Sequence, residues 1–364
     1  MAQNQIEYHI DEILEKVVKN NASDLYLTVD LPPTIRVTGL LQPLLEFQKF
    51  SDEQIRGLVS QLLNENQLQK LFENKELDAQ YELKDKARFR INVFFEKENI
   101  AATLRLIPKR IPTVDELNLP TILHEFCKLP QGLVLVTGAS GAGKSTTLAA
   151  MINWINNNRN KHILTIEDPV EFHFISNKSL VHQRELYVDT LSWEAALRSV
   201  RRETVDVLLI GEIRGYETMA LAIMAASMGH LVFATIHTYS AAQTIDHVIG
   251  LFPEHQQSQT RMQLSSVIEG TITQTLVRGI DQSKRFPAIE ILIANNAVRS
   301  TIREGKAHFI SNIINTSFDM GMLSMERSLA ELVNTGKVEL DEALGRTLNP
   351  DEVLRYIDSK KNKR

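Results

Sequence analysis

Residues 138–145 read GASGAGKS, an unbroken match to the spacing G-x-x-x-x-G-K-[ST]. In such a loop Gly138, Ala139, Ser140, Gly141, Ala142 and Gly143 offer backbone N–H groups, and the glycines let them approach phosphate oxygens closely. Lys144 then reaches the β and γ phosphates, the Ser145 hydroxyl ligates Mg²⁺, and Thr146 follows in a helix whose N-terminus favours anions. The strand-like run LVLVT at 133–137 precedes the loop and a helical pattern from Ser145 to Ile155 follows it. A chance glycine-rich turn would rarely carry both the Lys-Ser pair and that flanking pattern. The chemistry implied is binding of ATP with Mg²⁺.

Three more polar residues stand just past the ends of apolar, strand-like runs: Glu167 in LTIEDPVEF, Glu212 in LLIGEIRG and His237 in ATIHT. Each alone reads equally well as a helix cap or a satisfied polar group at a strand end. In an open parallel sheet, however, ligands bind at the carboxyl ends of the strands, where the phosphate loop also lies. Glu212 with Ser145 can then hold the Mg²⁺ shell, Glu167 can orient or deprotonate the attacking water, and His237 can sense the γ-phosphate.

The elements that must position these groups are legible in outline. Leu133–Thr137, Ile163–Ile166, Val205–Ile210 and Leu231–Ile236 are short, apolar and separated by helical patterns, which predicts a parallel α/β sheet covered on both faces. From Ala297 onward the pattern is helical, including Ser324–Val333. Ahead of this lies a smaller α+β region. Ile6, Ile10, Ile13, Leu14, Val17 and Val18 fall at helical spacing, Leu25, Leu27 and Val29 alternate, and Asp52–Phe72 reads as one amphipathic helix. ARFRINVFF at 87–95 and IAATLRL at 100–106, separated by EKEN, predict a hairpin with Arg88, Arg90 and Arg105 on one polar face. Alternation leaves open whether that face is merely solvated. The stretch from Ile107 to Pro120 holds Pro108, Pro112 and Pro120 with little periodicity, which predicts a linker over 108–120 between domains at 1–107 and 121–364.

Composition narrows the class. With 43% hydrophobic and 23% charged residues, most of the 364-residue chain is expected to fold, as two domains. The single cysteine, Cys127, excludes an intramolecular disulfide and a cysteine-rich zinc site. A formal charge of −5 gives no support to nucleic-acid binding, and the basic tail Lys360, Lys361, Lys363 and Arg364 reads as a solvated terminus. The polar first residues lack the pattern of a signal peptide, and no apolar run reaches the roughly 18 residues of a membrane span, so a cytoplasmic protein is expected.

These motifs together resemble the PilT family, the hexameric retraction ATPases of type IV pili within the wider secretion ATPases, over nearly the whole chain. The resemblance rests on GASGAGKSTT, TIEDPVEF (165–172), LLIGEIR (208–214), TIHTYSAAQTID (235–246), ASDLYL (22–27), ARFRINVF (87–94) and AVRSTIRE (297–304). It implies a PAS-like first domain, a RecA-like second domain and a hexameric ring in which Arg88, Arg90 and Arg105 reach the neighbouring subunit's nucleotide. It also implies work at the inner membrane through a platform protein of the pilus machine, with a paralogous ATPase as a possible partner. Cys127 alone cannot supply the four-cysteine zinc module usual in extension and type II secretion ATPases, which points to the retraction branch. An accessory ATPase of the PilU type and a weakly hydrolysing coupling protein in a mixed ring are the alternatives. The chain departs from the family at Gly215, at Thr204-Val205-Asp206 and at His247, where a titratable group replaces the usual arginine.

Overall fold

A computed structural model describes residues 8–84, 86–107, 110–282 and 284–361. Ile6, Pro108, Lys363 and Arg364, named above, lie outside the described residues, as do the side chains of Lys360 and Lys361. The chain divides into two compact units, Met1–Arg110 and Ile111–Arg364.

In the first unit, helices α1 (Ile10–Lys19), α2 (Asp52–Leu62) and α3 (Glu65–Asn74) accompany strands β1 (Asp24–Leu27), β2 (Thr34–Val37), β3 (Leu40–Pro43), β4 (Glu76–Leu83), β5 (Ala87–Glu96) and β6 (Asn99–Ile107). The strands form one antiparallel sheet in the order β3-β2-β1-β6-β5-β4. Its apolar face supplies Leu25, Phe89, Ile91, Val93 and Leu104 to a core shared with Ile13 and Leu14 of α1 and Ile55 and Val59 of α2. The one helix expected over Asp52–Phe72 is two. Asn64 starts α3 with a reciprocal cap, its Oδ1 accepting from Gln67 N at 2.9 Å and its own N donating to Gln67 Oε1 at 3.0 Å, and that local exchange outcompetes continuation of α2. The expected hairpin forms through Lys97 and Glu98, both at positive φ, the backbone that a two-residue turn between twisted strands requires.

The second unit starts with α4 (Leu123–Lys128), then alternates β7 (Gly132–Thr137), α5 (Lys144–Asn158), β8 (His162–Glu167), β9 (Leu180–Glu185), α6 (Trp193–Ser199), β10 (Val207–Ile210), α7 (Tyr216–Ser227), β11 (Leu231–Ile236), α8 (Ala241–Gly250) and α9 (Glu254–Val267). The antiparallel pair β12 (Ile268–Arg278) and β13 (Arg285–Ile293) follows, then α10 (Asn296–Arg303), α11 (Ile310–Thr316), α12 (Met325–Asn334), α13 (Leu340–Leu344) and α14 (Pro350–Lys361). Sheet order is β13-β12-β7-β11-β10-β8-β9. The sheet is mixed rather than wholly parallel, because β13 returns directly from β12 without a crossover helix. Its central strands are buried on both faces, between one core that includes Met219, Val248 and Leu264 and another that includes Phe126, Met151 and Ile155 of the α4–α5 side.

Residues expected to form a linker behave otherwise. Val114 and Leu119 are buried in the second unit's core, and Thr113 and Glu116 cap each other's backbone N–H groups at 3.1 and 2.9 Å. That exchange closes a folded turn where proline content alone suggested a spacer. Cys127 is also buried in this core, where burial pushes its thiol up to about 12. Among the described residues no helix is long and apolar enough to cross a membrane.

Candidate active site

The phosphate loop is a sharp passage from β7 into α5, and glycine is required where the backbone is left-handed. Gly138 has φ 140°, and a Cβ there would lie 2.2 Å from the Gln274 carbonyl oxygen of the adjoining strand. Gly143, at φ 89°, is the residue from which α5 starts, so the free N–H groups of the first helical turn face the loop. Ala139, Ser140 and Gly141 are exposed, Gly138 and Ala142 buried, and Ser145 and Thr146 half-buried. Lys144 folds back across the loop, its Nζ donating to Gly138 O at 2.8 Å and Ala139 O at 2.9 Å.

Parallel register then brings the other strand ends beside it. Gly211 N donates to Ile166 O at 2.8 Å, and a Cβ on Gly211 would stand 3.1 Å from Glu167 Cα, so β10 leaves the sheet pressed against the end of β8. From this ledge a charged chain runs across the site. Lys144 Nζ lies 3.3 Å from His237 Nδ1, His237 Nε2 lies 3.1 Å from Glu212 Oε1, Arg214 holds Glu212 Oε2 at 2.9 Å, and Arg214 also faces Asp168 at 3.7 Å. The imidazole tautomer carrying its hydrogen on Nε2 satisfies both neighbours, donating to Glu212 and accepting from Lys144. Burial pushes Glu212 up, but the Arg214 hydrogen bond and the charges of Arg214, His237 and Lys144 hold it below the usual carboxylate range. Burial pulls the Lys144 ammonium below the usual lysine range, against the pull of Glu212.

Glu167 ends the neighbouring strand and is buried, with Gln183 Nε2 of β9 at 3.5 Å from Oε1. Its carboxyl is pushed up to about 7 by that burial, with the Glu171 charge adding to it. The site therefore holds two carboxylates with opposite tendencies, Glu212 held ionised and Glu167 poised near neutrality, the division that separates a charge-stabilising role from proton transfer.

Lys144, Glu212 and His237 are thus joined directly, Glu167 stands on the adjacent strand, and the three arginines lie together in the first unit. Arg90 is directly opposite Arg105 in the β5–β6 ladder, and all three share the sheet's polar face. Each meets a carboxylate there: Arg88 with Glu82 at 3.4 Å, Arg90 with Asp78 at 3.9 Å and Arg105 with the buried Asp24 at 2.9 Å.

The structure adds residues that the motifs did not single out. Arg214 sat inside a quoted motif without a role. Gln274, on β12, bonds both the loop and α5, and nothing in the run ITQTLVR marked it. Glu290 of β13 is buried, accepts from Ala241 N at 2.5 Å and so holds the helix that follows His237; burial, with the Glu326 charge adding, pushes it up to about 7. Beside Gly143, Thr146 and Thr147 opens a cavity of about 630 Å³, apolar at Leu117, Leu119, Leu276, Phe286 and Pro287 and charged at Glu116, Lys284 and Arg285, with more than enough room for a nucleotide's base.

The family model described as "Type II/IV secretion system protein" matches residues 2–316. The chain is 41% identical to the type IV pilus retraction ATPase PilT of Pseudomonas aeruginosa over 94% of this chain and 99% of that one. It is likewise 41% identical to a twitching motility protein of Neisseria gonorrhoeae, over 96% and 93% of the two chains. A crystal structure of the pilus retraction motor PilT with bound ADP superposes with a TM-score of 0.87 at 40% identity, covering 96% of this chain and all of that one. A nucleotide-binding loop, strand-end carboxylates and this extent of likeness agree, and the chain belongs to the type II/IV secretion system protein family and, within it, to the PilT family of ATPases.

Proposed function

We propose that this chain is the ATPase motor of type IV pilus retraction, working as a hexameric ring in the cytoplasm against an inner-membrane platform protein. The observation that carries the enzymatic part is the joined set of Lys144, His237 and Glu212 at the carboxyl ends of three adjacent parallel strands. The residues fit ATP with Mg²⁺. The loop carries two glycines whose φ values and close approaches exclude a side chain, and Ser145 with Glu212 offers hard oxygens, of which Mg²⁺ needs only one or two beside phosphates. Ser145 and Glu212 would hold the metal, which would supply positive charge to offset that of the phosphates.

The chain's own groups divide the remaining work. Lys144 exchanges its loop carbonyls for phosphate oxygens, and the α5 N-terminus faces the same anion. Glu167, whose carboxyl titrates near neutrality, orients the attacking water and accepts its proton. His237, held between Lys144 and Glu212, registers the presence of the γ-phosphate by a change of hydrogen-bond partner. Arg88, Arg90 and Arg105 act on the nucleotide of the next subunit, where a guanidinium offsets charge on the transferred phosphoryl group. What supports this is their alignment on one polar face, with Arg105 aimed by a buried aspartate.

Deleting the gene in its host tests the direction of work. Cells should keep or gain surface pili while losing twitching motility; cells without pili would assign the motor to extension instead.

A further inference from the structure

Beneath the phosphate loop lies a side chain that the reaction scheme above does not use. Gln274 sits on β12, next to the loop's own strand β7, and is buried to 4% exposure. Its Nε2 donates to Ala142 O at 2.7 Å, and its Oε1 accepts from Thr147 Oγ1, in the first turn of α5, at 2.7 Å. Its backbone oxygen closes on Gly138, and its Nε2 would stand 2.8 Å from a Cβ on Gly143. One residue therefore touches the entry, the crest and the exit of the loop. The Ala142 carbonyl fixes which end of the amide is which, since a flipped amide would set its oxygen against that carbonyl, whereas the Thr147 hydroxyl can serve either end.

The consequence follows from peptide geometry. In a planar trans peptide the C=O and N–H point in opposite directions. Holding Ala142 O against β12 therefore turns the N–H of Gly143 away from the strand, toward the hollow where phosphate oxygens bind, and the left-handed Gly143 accommodates that orientation. The Thr147 bond anchors the helix whose N-terminus faces the same hollow. We propose that Gln274 is a positioning residue that holds the phosphate loop in its anion-receptive shape, so that it governs affinity for the β-phosphate rather than for the base.

Calorimetry of nucleotide binding to the full-length protein tests this. Gln274→Met, of similar volume and without either bond, should weaken ADP binding about tenfold or more and AMP binding less than threefold, because AMP lacks the phosphate that the loop encloses. A folded variant with unchanged ADP affinity, or with ADP and AMP weakened equally, would overturn the proposal. Gln274→Glu gives a second reading in the event that Met is not tolerated. The introduced carboxylate can still accept from Thr147 but can donate to Ala142 O only when protonated, so ADP affinity in this variant should recover as pH falls. A pH profile parallel to that of the unsubstituted protein would equally refute the assignment.

Discussion

The buried Glu167 makes the sharpest demand on experiment. As a proton acceptor it must be ionised, and burial sets its titration at about 7, so kcat should rise as pH increases through that value and then level off. Glu167→Gln should slow turnover at least about tenfold and abolish that limb of the profile, which steady-state kinetics across pH 6–9 would read. Folding is linked with the opposite slope. A carboxyl raised from 4.5 to about 7 binds its proton more tightly when folded, so the associated stability is whole below pH 4.5 and is lost as pH rises to about 7. The loss amounts to up to about 3 kcal/mol, and denaturant unfolding of Glu167→Gln should show a correspondingly shallower pH dependence. Lys144→Ala should fold yet show no measurable ATP binding in calorimetry, because the ammonium that bridges the loop and matches the phosphates is gone. Unchanged affinity in that variant would remove the loop from the mechanism.

At the scale of elements, the loop's shape depends on the strand beside it. Gly138→Ala would drive a methyl group into the Gln274 carbonyl oxygen at a left-handed φ, so thermal unfolding should fall by the equivalent of about 2 kcal/mol or more and nucleotide affinity at least tenfold. Wild-type values for both would show that the loop relaxes freely. This dependence also marks how far the sequence could be read. Lys144 was legible from the spacing of the glycine-rich loop, and Glu167, Glu212 and His237 because a short apolar run ending in a polar residue signals both the strand and the group at its end. Gln274 and Glu290 were not, since β12 and β13 carry threonine, glutamine, glutamate and proline amid their apolar residues, and their burial comes from neighbours distant in sequence. The split between α2 and α3 at Asn64 was missed because the apolar spacing runs on across it while the cap is local. The turn at Thr113–Leu119 was obscured by its prolines, whose rigidity is equally compatible with a spacer and a packed turn.

For the whole molecule, a ring in which arginines serve a neighbour predicts complementation between two inactive proteins. An Arg105→Ala variant mixed with Glu212→Gln should recover part of the ATPase activity that each lacks, because some interfaces then pair an intact arginine face with an intact Glu212. Mixed rings that form without activity, or an arginine variant that hydrolyses ATP normally, would assign the polar face of the first unit to solvent alone. Cys127 offers a different kind of access. It is the only thiol in the chain, it lies fully buried in the core that also holds Met151 and Ile155 of α5, and burial keeps it protonated at neutral pH. An alkylating reagent can therefore capture it only when that core opens, which makes the rate of labelling a clock for transient unfolding beneath the phosphate loop. Nucleotide should slow the clock by a factor of one plus the ratio of its free concentration to its Kd, reporting with no engineered probe how firmly ligand holds that core closed.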